Sequence, residues 1–136
     1  MSKEPIMKFT EETLQKSLKW WKKKLFLDDW NIKAKLVPQQ DIDGFAGLNE
    51  FKFVNKSSLI RIAVIPDEEK SEFITKVCDE CTLVHELLHC KYNWEEGSGL
   101  YEQMYVDAME HQKLEQMAKT LIMVKYNLPF KWFDNK

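Results

Sequence analysis

The sequence predicts an α+β fold, with one helix before a three-stranded, mainly antiparallel sheet and two helices after it. Apolar residues recur at helical spacing near the N-terminus, alternate with polar residues in the middle of the chain, and return to helical spacing in the second half. The chain has 136 residues, of which 44% are hydrophobic, and this is enough for one ordinary core. We therefore expect residues 1–136 to form a single domain.

The first helix is predicted from about Thr10 to Leu27. Thr10 is suited to cap the helix, because its hydroxyl can accept a hydrogen bond from an amide group of the first turn. The two aspartates at 28–29 interrupt the helical pattern. The apolar residues of this segment fall on one side of a helix: Leu14, Leu18, Trp21 and Leu25.

Three strands are predicted next. Residues Trp30–Val37 alternate between apolar and polar side chains, as expected for a half-buried strand. Phe45–Val54 and Leu59–Ile65 also have strand character, and the short polar segment 55–58 between them indicates an antiparallel hairpin. Two further helices are predicted, from about Ser71 to Tyr92 and from about Leu100 to Lys125.

Residues 82–90, TLVHELLHC, place two histidines four residues apart with a glutamate directly after the first. Side chains at this spacing lie on one face of a helix, so His85 and His89 can bind one metal ion at about 2.0–2.1 Å. Glu86 lies about 100° round the helix axis, where it cannot easily be a ligand but can reach a water at an open coordination position. This is the H-E-x-x-H arrangement of zinc hydrolases. It predicts Zn2+ as cofactor and Glu86 as catalytic base, against the alternative of two histidines bordering an ordinary amphipathic helix.

A catalytic zinc ion needs a third protein ligand. The last predicted helix carries three polar residues on or beside its apolar stripe, Asp107, Glu110 and His111. We expect His111 to be the third ligand, because it is the only further histidine and shares a face with the apolar residues. Glu110 is the alternative ligand, and Asp107 is a candidate to orient a histidine. Glu95 is a weaker option, because the chain lacks a glycine where the helix would have to turn sharply.

Cys78 and Cys81 form a C-x-x-C pair that resembles half of a zinc site. In one continuous helix, Cys78 and His89 would lie about 16 Å apart at 1.5 Å per residue, too far to share one ion. A redox role is disfavoured, because such a pair would need to sit at a helix N-terminus. We expect these cysteines and Cys90 to be reduced, with Cys81 packed in the core.

The motif residues resemble those of the minimal zincin metallopeptidases, especially the SprT-like, ImmA-type and small phage-encoded groups. The resemblance rests on LVHELLH at 83–89, after a short sheet, and on EHQKLEQMA at 110–118 in a later helix. It covers about residues 30–121. It implies a zincin-like fold with an H-E-x-x-H active-site helix and a C-terminal helix that carries the third ligand, which is glutamate in several of these families.

The resemblance also implies that a strand of the hairpin, of which Leu59–Ile65 is nearer in sequence to the motif, pairs with the substrate backbone at the edge of the cleft. The chain lacks a clear His-Gly pair after the motif and a downstream zinc ribbon. The substrates and DNA-linked roles of SprT-like proteins are therefore not carried over.

The predicted function is zinc-dependent hydrolysis of peptide bonds by an endopeptidase, with a protein or peptide substrate and with water activated by Glu86. Two alternatives remain open. One is a zinc-binding zincin-fold regulatory or binding module without turnover, which an intact Glu86 disfavours. The other is a structural zinc protein in which a fourth side chain closes the site.

The composition of the chain limits the kinds of binding partner and the cellular location that we expect. The net charge of −2 and pI near 5.9 give no basic field for nucleic acid. No stretch is long and apolar enough to span a bilayer, and the N-terminus lacks a signal-peptide core, so no membrane partner is expected. Three cysteines, an odd number, do not suggest a disulfide framework. We expect a cytoplasmic protein, and a phage or prophage source fits the resemblance.

Overall fold

The computed structural model describes residues 4–42, 44–64, 78–92, 100–129 and 131–134, except for the side chains of residues 100–108, 110 and 134. Within these residues three α-helices and one three-stranded sheet form the predicted α+β fold. The helices are α1 (Glu11–Lys24), α2 (Asp79–Lys91) and α3 (Leu100–Tyr126), and the strands are β1 (Asn31–Pro38), β2 (Gly47–Lys52) and β3 (Ser57–Val64). Short 3₁₀ segments, Gln39–Ile42 and Trp132–Asp134, follow β1 and α3.

Helix α1 begins where the sequence predicts and ends earlier. Thr10 caps it, since its hydroxyl accepts a hydrogen bond from the amide of Thr13 at 3.1 Å. The helix stops at Lys24 because Phe26 adopts a left-handed conformation with φ of 59°. The amide of Leu27 then donates to a carbonyl of the last turn.

The sheet is mixed, which corrects the prediction of a mainly antiparallel sheet. Its order is β1-β3-β2; β2 and β3 form the predicted antiparallel hairpin, whereas β1 runs parallel to β3. The parallel register places Ala34 beside Ile60 and Leu36 beside Ile62, so that apolar residues of both strands share one face. Alternation in a sequence indicates which side chains a strand buries, but it does not indicate the direction of the neighbouring strand.

Helix α2 begins at Asp79, so the prediction of one continuous helix from Ser71 is wrong at Cys78. The backbone of Cys78 is extended, with φ of −120° and ψ of 112°. Residues 65–77, which include the predicted end of the last strand, lie outside the described residues. The motif helix is therefore shorter than its apolar pattern predicts.

The N-terminal segment binds the start of α2 and explains where that helix begins. The amides of Asp79 and Glu80 donate to the carbonyls of Met7 and Ile6 at 3.1 and 3.0 Å. In return, the carboxylate of Asp79 accepts from the amide of Phe9 at 2.8 Å, and that of Glu80 accepts from the amide of Ile6 at 2.9 Å. These bonds satisfy amides that have no partner within the first turn of a helix, where acidic residues are also favoured.

The core lies between the sheet and the helices, and every helix contributes to it. Its fully buried side chains include Leu14, Ile60, Ile62, Leu83, Leu87 and Ile122. This packing holds the motif helix α2 against strands β2 and β3 of the sheet and against helices α1 and α3. In the described part of the chain, no helix combines the length and the apolar character needed to cross a membrane.

Candidate metal site

Three histidines from two helices lie together. His85 and His89 are one turn apart on α2, and His111 is on α3. One ring nitrogen of each lies within 4.8 Å of those of the other two, and the ring centroids are 5.0–5.6 Å apart. An ion bound at about 2.0–2.1 Å to each nitrogen would draw these atoms somewhat closer. The three residues predicted as ligands are thus close enough to bind one metal ion, and zinc as its identity stays a prediction.

His89 is the most deeply buried of the three, with 7% of its surface exposed. Burial, together with the neighbouring His85 and His111, lowers the pKa of His89 to about 4. Its ring is therefore neutral at neutral pH, which is the form that binds a metal ion. Phe51 of β2 lies roughly parallel to the ring at a centroid distance of 6.3 Å and covers one side of it.

A carboxylate that sequence reasoning missed contacts the first histidine. Oε2 of Glu115 lies 2.9 Å from Nδ1 of His85. When Nδ1–H donates to this carboxylate, Nε2 is the nitrogen that remains to bind a metal ion. Burial by itself lowers the pKa of His85, but the hydrogen bond that His85 donates to Glu115 raises it above its ordinary value. The available signal was spacing: Glu115 is one helical turn after His111 and shares its face.

Three other candidates lie outside the described side chains. Asp107 was predicted to orient a histidine, whereas the carboxylate observed in that role is Glu115. Glu110, the alternative third ligand, is on α3, but its side chain is not among those described. Glu95 lies in the segment 93–99, which is also outside the described residues.

Glu86, the predicted base, is buried beside the histidines. Its exposed fraction is 8%, and it lines a cavity of about 640 Å³ together with His85, His111 and Glu115; we call this space the histidine cavity. Burial raises the pKa of Glu86 to about 7, even though the adjacent His85 opposes the shift. A carboxylate with such a pKa can both accept and return a proton near neutral pH.

Strand β2 runs along the motif helix through three alternate residues. Gly47 faces Thr82 and Glu86, Asn49 contacts the backbone of Glu86, and Phe51 lies against His89. Among the described strands β2 is an edge, whereas β3 is central and paired on both sides. Of the two hairpin strands expected to offer a cleft edge, β2 is therefore the candidate, because β1 occupies the position beside β3 (Leu59–Ile65 in the prediction) that a substrate would need.

Gly47→Ala is expected to destabilise the fold by about 1–3 kcal/mol, the usual cost of overpacking. A β-carbon at this position would lie 2.6 Å from Cγ2 of Thr82 and 3.2 Å from Oε2 of Glu86, so a neighbour must move. Chemical denaturation measures the change in the free energy of unfolding. The double variant with Thr82→Ser, which removes Cγ2 and keeps the hydroxyl, should recover part of the loss. Equal stability of the wild type and Gly47→Ala would contradict the close approach.

No disulfide joins the cysteines, in line with the expectation that they are reduced, but the reason given against a redox role was wrong. All three are free and buried, and Cys78 and Cys81 also line the histidine cavity. Because Cys78 is the cap of α2, the C-x-x-C pair does lie at a helix N-terminus. Burial nevertheless raises the pKa of Cys78 to about 12 and also raises that of Cys81, so both thiols stay protonated and unreactive at neutral pH.

Comparison with known proteins does not identify the function of this site. No family model, no curated protein and no solved structure matches the chain. The conclusion supported by the described residues is a site of three histidines, close enough to bind a metal ion, beside a buried glutamate.

Proposed function

We propose that this chain is a zinc-dependent peptide hydrolase of the minimal zincin type, acting as an endopeptidase. One observation carries the proposal: a buried carboxylate, Glu86, with its pKa raised to about 7, lines the same cavity as His85 and His111, two members of the cluster of three histidines. Structural metal sites need no proton acceptor beside them, whereas hydrolysis does. The arrangement fits the H-E-x-x-H chemistry that the motif predicts.

Each residue of the site has its own role in the proposed reaction. His85, His89 and His111 would hold the metal, which when bound supplies a Lewis acid that polarises the scissile carbonyl. Glu86 accepts a proton from the attacking water on a carboxylate oxygen and later returns it to the nitrogen of the leaving amine. Glu115 holds the Nδ1 proton of His85 and so keeps that ring in the orientation for binding.

Hydrolysis also requires an open coordination position on the metal ion. Among the described residues, the group able to hold a metal ion consists of the three histidines, without a fourth side chain. A structural zinc ion is almost always closed by four protein ligands, whereas a catalytic one keeps a position for water. A site of these three histidines alone would therefore fit the enzyme rather than the structural alternative.

The edge of β2 is the place where a substrate backbone would pair. The amide of Ala63 donates to the carbonyl of Ala46 at 2.9 Å, so these two residues are a hydrogen-bonded pair of the hairpin. Since such pairs alternate along antiparallel strands, the backbone groups of Gly47, Asn49 and Phe51 point away from β3. Within the described residues no strand pairs with this side of β2, so an extended peptide could pair there, directly beside Glu86.

Metal analysis and peptide cleavage test the proposal together. The wild type is expected to bind one equivalent of zinc and to cleave an unfolded protein substrate, to lose cleavage with a chelator, and to regain it with zinc. His111→Ala should lose the tightly bound equivalent, because two imidazoles remain where a catalytic zinc ion takes three protein ligands. Glu110→Ala is the matched control and should retain zinc. The opposite pattern in these two variants would assign the third ligand to Glu110, and a wild type that binds zinc but cleaves nothing would favour a binding module.

A further inference from the structure

We propose that Asn49 is a positioning residue that holds the edge strand β2 at a fixed distance from the metal site and thereby sets the register of a bound peptide. The inference rests on the proposed function, because it concerns how that site receives its substrate. It assigns to Asn49 no contact with the reacting atoms. Its role would be exerted through the strand to which it belongs.

The amide of Asn49 joins three elements. Its Nδ2 donates to the backbone carbonyl of Glu86 at 2.7 Å and to Sγ of Cys90 at 3.3 Å, so that both amide hydrogens have partners on α2. Its Oδ1 accepts from the hydroxyl of Ser58 on β3 at 2.6 Å. Ser58 is itself buried, with 6% of its surface exposed. The orientation of the amide is determined by chemistry, because a backbone carbonyl can only accept.

The position of this contact along the helix is what connects it to function. Asn49 binds the carbonyl of the proposed base itself, at the place where Gly47 allows β2 to approach Thr82 and Glu86. A helix carbonyl already accepts a hydrogen bond from within the helix, so the helix does not need Asn49 to keep its shape. The strand does need it, since β2 is an edge that is paired on one side among the described residues.

The backbone groups of Asn49 face the edge of β2 at which the proposed substrate would pair. The side chain of Asn49 points to α2, whereas its backbone N–H and C=O point to the open edge of β2, as the alternation from Ala46 and Ala63 requires. A peptide paired with this edge is therefore positioned relative to Glu86 by the amide of Asn49. Loss of that amide leaves the metal ligands in place and lets the docking edge shift.

The test compares a long and a short substrate. In Asn49→Ala, kcat/KM for an extended, unfolded protein substrate is expected to fall on the order of 10-fold to 100-fold, the usual effect of a displacement near 1 Å. A blocked dipeptide amide, which is too short to pair along β2, should be cleaved as in the wild type, and zinc content should be unchanged. Ser58→Ala should lower cleavage of the long substrate less strongly, because it removes the group that orients the amide. Glu50→Ala is the control on the same strand, since Glu50 bonds Arg61 rather than α2.

Each possible result of this experiment either supports or overturns the role of Asn49. An equal loss of kcat/KM for both substrates would overturn the inference, because it would place the effect on the metal or on Glu86. Unchanged kcat/KM for both substrates would overturn it as well. If Asn49→Ala does not fold, a Ser58→Ala variant with normal cleavage of the long substrate also overturns it. If the wild type cleaves neither substrate, the proposed function fails, and binding of the long substrate to zinc-loaded protein then tests the inference alone. Weaker binding by Asn49→Ala than by Glu50→Ala supports it, and equal or absent binding overturns it.

Discussion

Glu86→Gln is expected to lower kcat for peptide cleavage by about 10²- to 10⁴-fold, the usual contribution of a general base, while zinc remains bound. The substitution keeps the size of the side chain but removes its ability to accept a proton. Glu86 is buried beside the three histidines but does not belong to the group that could hold the metal ion. The substitution should therefore leave the metal ligands undisturbed. Steady-state cleavage at saturating zinc, with zinc content measured on the same preparation, checks both parts.

Glu115→Gln is the matched control for this prediction. Glu115 contacts His85, so its replacement should weaken zinc binding by about 10- to 100-fold, as is usual for a partner of a metal ligand. Cleavage by Glu115→Gln should recover when zinc is raised, whereas cleavage by Glu86→Gln should not. Undiminished activity of Glu86→Gln would show that the mechanism is wrong. If chelation unfolded the protein, a structural metal site would be favoured instead.

Glu80→Ala is expected to destabilise the fold by about 3–5 kcal/mol, the usual cost of removing one partner of a buried ion pair. The carboxylate of Glu80 is completely buried and accepts hydrogen bonds from the amide of Ile6, Nε1 of Trp21, Nζ of Lys125 and the hydroxyl of Tyr126, at 2.5–2.9 Å. It connects the N-terminal segment, α1 and the end of α3 to the start of the motif helix. Thermal or chemical denaturation measures the loss. Glu12→Ala, which breaks an exposed ion pair with Lys16, should change stability by less than about 1 kcal/mol.

A fall in pH should remove the contribution of Glu80 to the stability of the fold. Burial by itself raises the pKa of this carboxyl, but the hydrogen bonds from Lys125, Tyr126, Ile6 and Trp21 lower it below the ordinary value of 4.5. A depressed pKa in the folded state adds stability above the pKa of the unfolded chain, and this stability is lost as the pH falls through the folded pKa. The stability difference between the wild type and Glu80→Gln should therefore be largest near neutral pH and shrink in acid. A difference that grows as the pH falls would contradict the assignment.

Local patterns in the sequence predicted the elements but not how they pair. Thr10 and the apolar stripe of α1 act at short range, so capping and periodicity were sufficient to place that helix. The start of α2 was missed because apolar residues keep helical spacing from before Asp79 into the helix, as Val77 and Cys81 do in the sequence, whereas the helix begins at Asp79 through bonds to residues 6–9, which are about 70 positions away in the chain. The pairing of β1 with β3 is likewise a contact between distant segments, and alternation carries no information about it.

The site divides in the same way. The sequence by itself determined that His85 and His89 share one face of a helix with Glu86 beside them, and it predicted their roles as ligands and base, since this spacing has its chemical meaning within one helix. The tertiary structure decided that His111 meets the pair, that Glu115 orients His85, and that β2 with Asn49 lies along Glu86. These contacts join separate elements through packing, and a periodic pattern reports which face of an element is buried but not which neighbour covers it.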